Sequence, residues 1–323
     1  MAITIEQVRQ ILTPELLHAV YRLKFPWPKN EPPSGATIGQ MHFRPSPSYM
    51  KSFHDLIFHS ALLPLSKLPL DELMSLDLTE VLPEADAPDY PEQSLGLITL
   101  LDQARIILKG YSFRYVRAFF DPICEKLARQ LIALPGDFRP DGKGAWIERD
   151  YTMDEWLVRT LWFWAPLVHS DKFMAQDRED LKDWLHTIRS NVRTYSGKED
   201  PFVQLEDADD RDVRAFKTVE DEGPPKTSYE NPEEEADVAD YAFWWIRILN
   251  SHFAITDTYK HYPYWIRWTG AEWTEKDKEF FQKNDNYRYD PANEPILEEV
   301  RQDSLKGVWK PLKPNPKFET NAQ

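Results

Sequence analysis

The chain has 323 residues, 41% of them hydrophobic and 29% charged, with a formal net charge of −15. It is long enough to bury a sizeable core, while its acidity and the lack of any arginine-rich run disfavour nucleic acid and anionic membranes as partners. Cys124 is the single cysteine, which rules out an intramolecular disulfide and any zinc site needing several thiolates, and fits a reducing, cytoplasmic setting.

Residues 3–24 read as helix in two pieces, the second opening at Thr13-Pro14-Glu15, a cap residue followed by proline at the first helical position. The N-terminus lacks a basic start followed by an unbroken apolar run, so a signal peptide is not expected. Residues 25–50 are too rich in proline for a long helix and read as an ordered arm over the body. A short helix at 52–64 and a mostly irregular 65–93 follow. Residues 94–109 form a nearly all-apolar helix capped by Ser94, interrupted by Thr99, Asp102, Gln103, Arg105 and Lys109. Helices at 112–134 and 152–165 come next. Residues 172–195 repeat apolar residues at Leu181, Trp184, Leu185, Ile188 and Val192, and 234–258 at Val238, Tyr241, Trp245, Ile248, His252 and Ile255. Thr274 and Asp277 form a capping box that opens helix 274–284. A short helix near 294–304 and a Pro/Lys-rich tail, expected to be mobile, end the chain.

No strand alternation is evident, and the longest strongly apolar run, Leu161 to Val168, is too short to span a bilayer, so membrane insertion is not expected. Nucleotide-loop, nucleophile-elbow and HExxH motifs are absent. The expected fold is all-α, an antiparallel helical array or bundle in one domain. Its parts are an N-terminal helix and arm (1–51), a helical core (52–284) and a C-terminal extension (285–323). Within the core, 199–237 holds fifteen acidic and four basic residues. It lacks the glycine at position six and the glutamate at position twelve of a calcium loop, and reads as a solvated acidic loop.

Three segments give a family resemblance. Leu100-Leu101-Asp102-Gln103 precedes Lys109-Gly110. Pro166-Leu167-Val168-His169-Ser170-Asp171 is followed by Gln176. His252, Pro263, Gly270 and Thr274 stand in a third register. In order and spacing they resemble the domain of unknown function 924 family, helical proteins with a tetratricopeptide-like superhelix. The resemblance covers about residues 52–284 and implies that fold. It departs at Tyr264-Trp265-Ile266, where the family carries a His-Arg-Asn triplet, so a family activity need not transfer.

These segments hold the candidate site residues. Asp102 and Gln103 interrupt an apolar helix; if buried, Asp102 needs a cation such as Arg105 or Lys109, and a purely structural bond is the alternative. His169 is a candidate general base or a core histidine bonded to a carbonyl, while Ser170 and Asp171 suffice as a cap and dipole partner for the next helix. His252 is a further catalytic candidate, on an apolar helix face where a satisfied core residue is the plainer reading. Five of the ten residues in 259–268 are Tyr or Trp. Tyr264 is a candidate hydrogen-bonding or proton-donating group; Tyr259, His261, Tyr262, Trp265, Arg267 and Trp245 are candidate substrate contacts. A loop stapled to the core by its aromatics explains the segment equally well.

The expected function is a small-molecule enzyme with an aromatic-lined, apolar pocket and no cofactor. Its reaction is cyclisation, isomerisation or a pericyclic step on a terpenoid- or polyketide-like metabolite of secondary metabolism. One alternative is a non-catalytic helical scaffold that binds a peptide or protein, with 199–237 attracting a basic partner. The other is a metal-dependent hydrolase with Asp102, His169 and His252 as ligands.

Overall fold

The computed structural model describes residues 3–170, 175–209 and 211–319. Among them the chain is all-α: helices pack on helices, and the sole β feature is an isolated bridge between Thr227 and Glu235. No helix among them is long and apolar enough to cross a membrane.

Four helices form the centre. Met153–His169 opens with a capping box between Thr152 and Glu155, and its residues from Glu155 to Val168 are all buried. A helix apolar on every side must be surrounded. Tyr90–Asp102, Asp121–Ile132 and Val238–Asn250 pack against it. Pro14–Lys24, capped by Thr13 with Pro14 at its first turn as the sequence predicts, lies along Tyr90–Asp102.

The proline-rich arm is more helical than its composition suggests. Its prolines fall at helix starts or between helices, so Gly35–Phe43 and Pro47–Ile57 both form. Gly35–Phe43 packs on Val238–Asn250. Contact begins at Gly35, where an added Cβ would sit 1.7 Å from the Asp237 carbonyl oxygen, so only glycine fits. This contact carries His42, Phe43 and Arg44 to the Trp-rich centre.

Ser94 is no cap: its helix starts a turn earlier, at Tyr90, and its hydroxyl donates back to the Tyr90 carbonyl. The helix stops at Asp102, and a separate turn, Ala104–Ile107, follows. The predicted helix 234–258 is likewise two, Val238–Asn250 and Phe253–Tyr259, broken at Ser251 and His252. The helix predicted over 172–195 is described from Ala175 to Ser196. Asp171, its predicted dipole partner, and the Gln176 side chain lie outside the described residues.

Two expected loops are ordered. Residues 199–237 contain the helix Ala215–Glu222, which buries Ala215, Phe216 and Val219. Several of their acids serve as ion-pair partners: Asp200 for Arg189, Asp209 and Glu222 for Arg247, Glu220 for Arg288, and Asp237 for Lys198. The C-terminal tail docks. Arg114 and Tyr115 donate to the Val308 and Lys310 carbonyls, Asn315 donates to the Ile107 carbonyl, and Leu312 is buried. An extended Pro-rich strip leaves its carbonyls free, and side chains of the body satisfy them. One apolar core runs from Ile3 to Leu312 and takes in arm and extension alike.

Candidate active site

The helix stop at Asp102 and the end of Met153–His169 meet at the middle of the molecule. Asp102 is 1% exposed and its Oδ1 lies 2.7 Å from His169 Nδ1. The same oxygen accepts from Arg105 Nη2 at 2.9 Å, while Oδ2 accepts from Gln103 Nε2 at 2.5 Å. Arg105 is therefore the cation that a buried Asp102 requires. Arg105 also reaches the buried Asp121 at 3.1 Å, and Arg117 pairs with the other oxygen of Asp121. Arg117 donates to the His169 carbonyl at 3.0 Å, and Tyr262 donates its hydroxyl to the Val168 carbonyl. The last carbonyls of a helix lack partners within it; here two side chains hold them and fix where His169 stands.

The protonation states follow from these partners. Burial pushes the Asp102 carboxyl up, but the Arg105 charge and the hydrogen bonds from His169 and Gln103 outweigh it and hold the group well below the usual carboxylate range. Asp102 is therefore ionised and can only accept, so His169 carries its proton on Nδ1. Burial, reinforced by the Arg105 charge and opposed by Asp102, pushes the His169 imidazole below its ordinary value. At neutral pH it is uncharged, with the Nε2 lone pair unengaged among the described residues. His252 is set up the same way. Its Nδ1 donates to the Ile248 carbonyl at 2.6 Å, and burial and its neighbour His169 depress it strongly. The two imidazoles stand edge to face with centroids 5.9 Å apart.

Both histidines line a cavity of about 380 Å³. Its aromatic walls are Trp162, Trp245, Trp265, Phe43 and Phe216, and Gln103 and Arg105 also border it. Trp162 and Trp245 lie 4.7 Å apart, and Phe216 lies 4.1 Å from His252. Charged and polar groups interrupt the largely apolar wall. Arg44, Arg288, Glu220 and His42 contribute to it as well. Arg288 sits at φ +57, in a turn that also holds Asp285 and Asn286 at positive φ. Asp and Asn accept this region readily; an arginine held there is strained by about 1 kcal/mol. Its guanidinium pairs with Glu220, which also accepts the Tyr287 hydroxyl.

Of the residues singled out in the sequence, Gln103, His169, His252, Trp245 and Trp265 reach the cavity, and Asp102 stands directly behind it. The rest of 259–268 does not. Tyr259 packs on Phe280. His261 Nε2 lies 2.8 Å from Asp277, the residue that also caps Glu275–Lys283. Arg267 makes a two-pronged bond to Glu294 at 2.6 and 2.9 Å. Tyr262 is buried, and Tyr264 packs among Tyr262, Trp265, Phe280 and Tyr287. Among the described residues no group of three His, Cys, Asp or Glu side chains is placed to hold a metal ion, so Asp102, His169 and His252 do not form the three-ligand set considered above.

One further group was not foreseen. Lys24, at the end of Pro14–Lys24, is 2% exposed, and its ammonium lies 3.6 Å over the Trp162 ring. It has no hydrogen bond or ion pair among the described residues. Burial, opposed by Asp102, pushes it down to about 7. His42 Nε2 donates to its carbonyl at 3.2 Å. A lysine in the last turn of a helix reads in sequence as a solvent-facing end charge.

A second hollow, of about 700 Å³, lies between Asp121–Ile132, Met153–His169 and Ala175–Ser196. It holds no histidine, and its buried carboxylate, Asp141, is occupied by Arg139 and the Trp164 indole. The smaller cavity has the chemistry.

Comparison with known proteins finds no matching family model, no matching curated protein and no matching solved structure.

Proposed function

We propose that this protein is a small-molecule enzyme that moves a proton within a flat, unsaturated substrate, leading to isomerisation or ring closure. The observation that carries this reading is the buried Asp102–His169 pair at the wall of an aromatic cavity. A carboxylate on Nδ1 orients the imidazole, raises the basicity of Nε2 and stabilises the imidazolium formed when it takes a proton. His169 is the base. His252, 5.9 Å away, is a second neutral imidazole able to relay or return a proton. A volume of about 380 Å³ suits a ligand of two or three fused rings, and Trp162, Trp245 and Trp265 offer faces to stack against it. Several acids of 199–237 pair with cations of this chain, which leaves less charge for the basic partner of the scaffold alternative.

The test is solvent exchange. The protein is incubated in D₂O with a panel of conjugated enones, β-keto acids and aryl-acetic acids, and deuterium uptake is read by mass spectrometry. Wild type is expected to catalyse exchange in at least one member, and His169→Gln to lose roughly 10²–10⁴-fold of that rate. Exchange in His169→Gln at the wild-type rate would overturn the assignment of the base.

A further inference from the structure

We propose that the cavity is built for a planar organic monoanion, a conjugated carboxylate, with its negative end at Arg44. The proposal rests on the reading of this cavity as a substrate site and names the class of substrate.

The charges around the cavity do not cancel. Arg105 and Arg117 are matched by Asp102 and Asp121, and Arg288 is matched by Glu220. Arg44 has no ion pair among the described residues, although it lines the cavity. The two nearest acids, which share a small neighbouring hollow with it, are engaged elsewhere: Asp221 by Lys217 and Glu222 by Arg247. The guanidinium rests over Gly223, a residue at φ +73 where an added Cβ would meet Arg44 Nη2 at 2.9 Å. A glycine there satisfies the backbone and leaves a bed for the arginine.

A second, independent group points the same way. Lys24 is buried, carries no counter-ion among the described residues and lies on the face of Trp162, a wall of the cavity. Burying a cation without a partner is costly, and an anion in the cavity would offset that cost. Arg44 and Lys24 are joined through one short stretch: His42 bonds the Lys24 carbonyl, and its ring accepts the Trp162 indole N–H at 3.3 Å. In a chain of net charge −15, a cavity with surplus positive charge selects anions that the rest of the surface repels. A flat ligand suits walls to which Trp162, Trp245 and Trp265 contribute.

The experiment compares 2-naphthoate with 2-naphthamide, equal in shape and differing in charge, by quenching of tryptophan fluorescence at low and moderate salt. Naphthoate is expected to bind at least tenfold more tightly than the amide. Arg44→Gln, at an exposed position where folding is not at stake, is expected to lower naphthoate affinity at least fivefold and leave the amide unchanged. Lys24→Met is expected to weaken naphthoate about threefold. Equal affinity for the two probes, binding of neither, or wild-type naphthoate affinity in Arg44→Gln would each overturn the proposal. His169→Gln separates the two readings. If it loses proton exchange and keeps naphthoate binding, both stand. If naphthoate binds as expected but exchange is unaffected by His169→Gln, the catalytic reading fails and the anion site survives.

Discussion

The Asp102–His169 junction and the segment Tyr259–Trp268 contain the same kinds of residue and use them in opposite ways. In the segment, the polar heads are committed to the scaffold: His261 to the cap of Glu275–Lys283, Arg267 to Glu294, and Tyr262 to the end of Met153–His169. At the junction, carboxylate, amide and guanidinium converge on one another and leave an imidazole nitrogen to the cavity. The difference teaches that a polar residue becomes a candidate for chemistry through the atom its partners leave over. The segment contributes Trp265 to the cavity wall and, through Tyr262, the position of His169.

Arg117→Met is the harshest way to break the junction. It strips Asp121 of a buried partner, the His169 carbonyl of a donor, and Trp265 of a cation 4.6 Å from its ring. The expected loss is roughly 3 kcal/mol in urea unfolding, the lower end of the cost of breaking a buried pair, because Arg105 still reaches Asp121.

Lys24→Met is expected to act in the other direction. The folded-state value of about 7 lies well below the ordinary 10.5, so the unfolded chain binds the extra proton between those limits. Stability from this group is complete above pH 10.5 and is lost as pH falls through 7. At pH 7 the methionine variant is expected to be more stable by roughly 3 kcal/mol. That gain should vanish near pH 11. A variant no more stable at pH 7 would show that the ammonium has a partner.

Acid should strike the cavity before the segment. His42, His169 and His252 are all held below 6.5, chiefly by burial, so the stability they contribute is present above 6.5 and lost as pH falls through their folded values. The melting temperature is expected to fall between pH 7 and pH 5. His42→Gln should flatten that fall.

Arg267→Gln gives the smallest effect and sharpens the contrast most. Its pair with the half-exposed Glu294 is worth about 1 kcal/mol or less, and naphthoate binding should stay at the wild-type level.

The sequence shows some of this plainly. An Asp-Gln pair inside an apolar helix and a histidine just ahead of the next helix are visible as anomalies, and the structure brings them together at the cavity wall. The capping residues Thr13 and Thr274 mark helix starts correctly, because a cap acts within four residues. Arg44, Arg288, Phe216 and Lys24 are not visible. Arg44, Arg288 and Phe216 come from the arm, the extension and the acidic stretch, segments whose local composition says loop, while Lys24 ends a predicted helix and reads as a solvent-facing charge; only tertiary contact turns them inward. The steep left-handed turn at Asp285, Asn286 and Arg288 has a local signal in its Asn-Asp-Asn run, but nothing in the run says which side chain it delivers to the cavity. The aromatics of 259–268 mislead for the converse reason: pockets and cores draw on the same residues.

The central claim is that His169 is a neutral base oriented by Asp102. The most direct measurement is the nitrogen-15 spectrum of its imidazole, assigned with His169→Gln and followed from pH 8 to pH 5. The account predicts an Nδ1-protonated, uncharged ring at pH 7 that titrates below 6.5. It also predicts that the tautomer is lost in Asp102→Asn. A ring protonated on Nε2 at pH 7, or one already charged there, would contradict it.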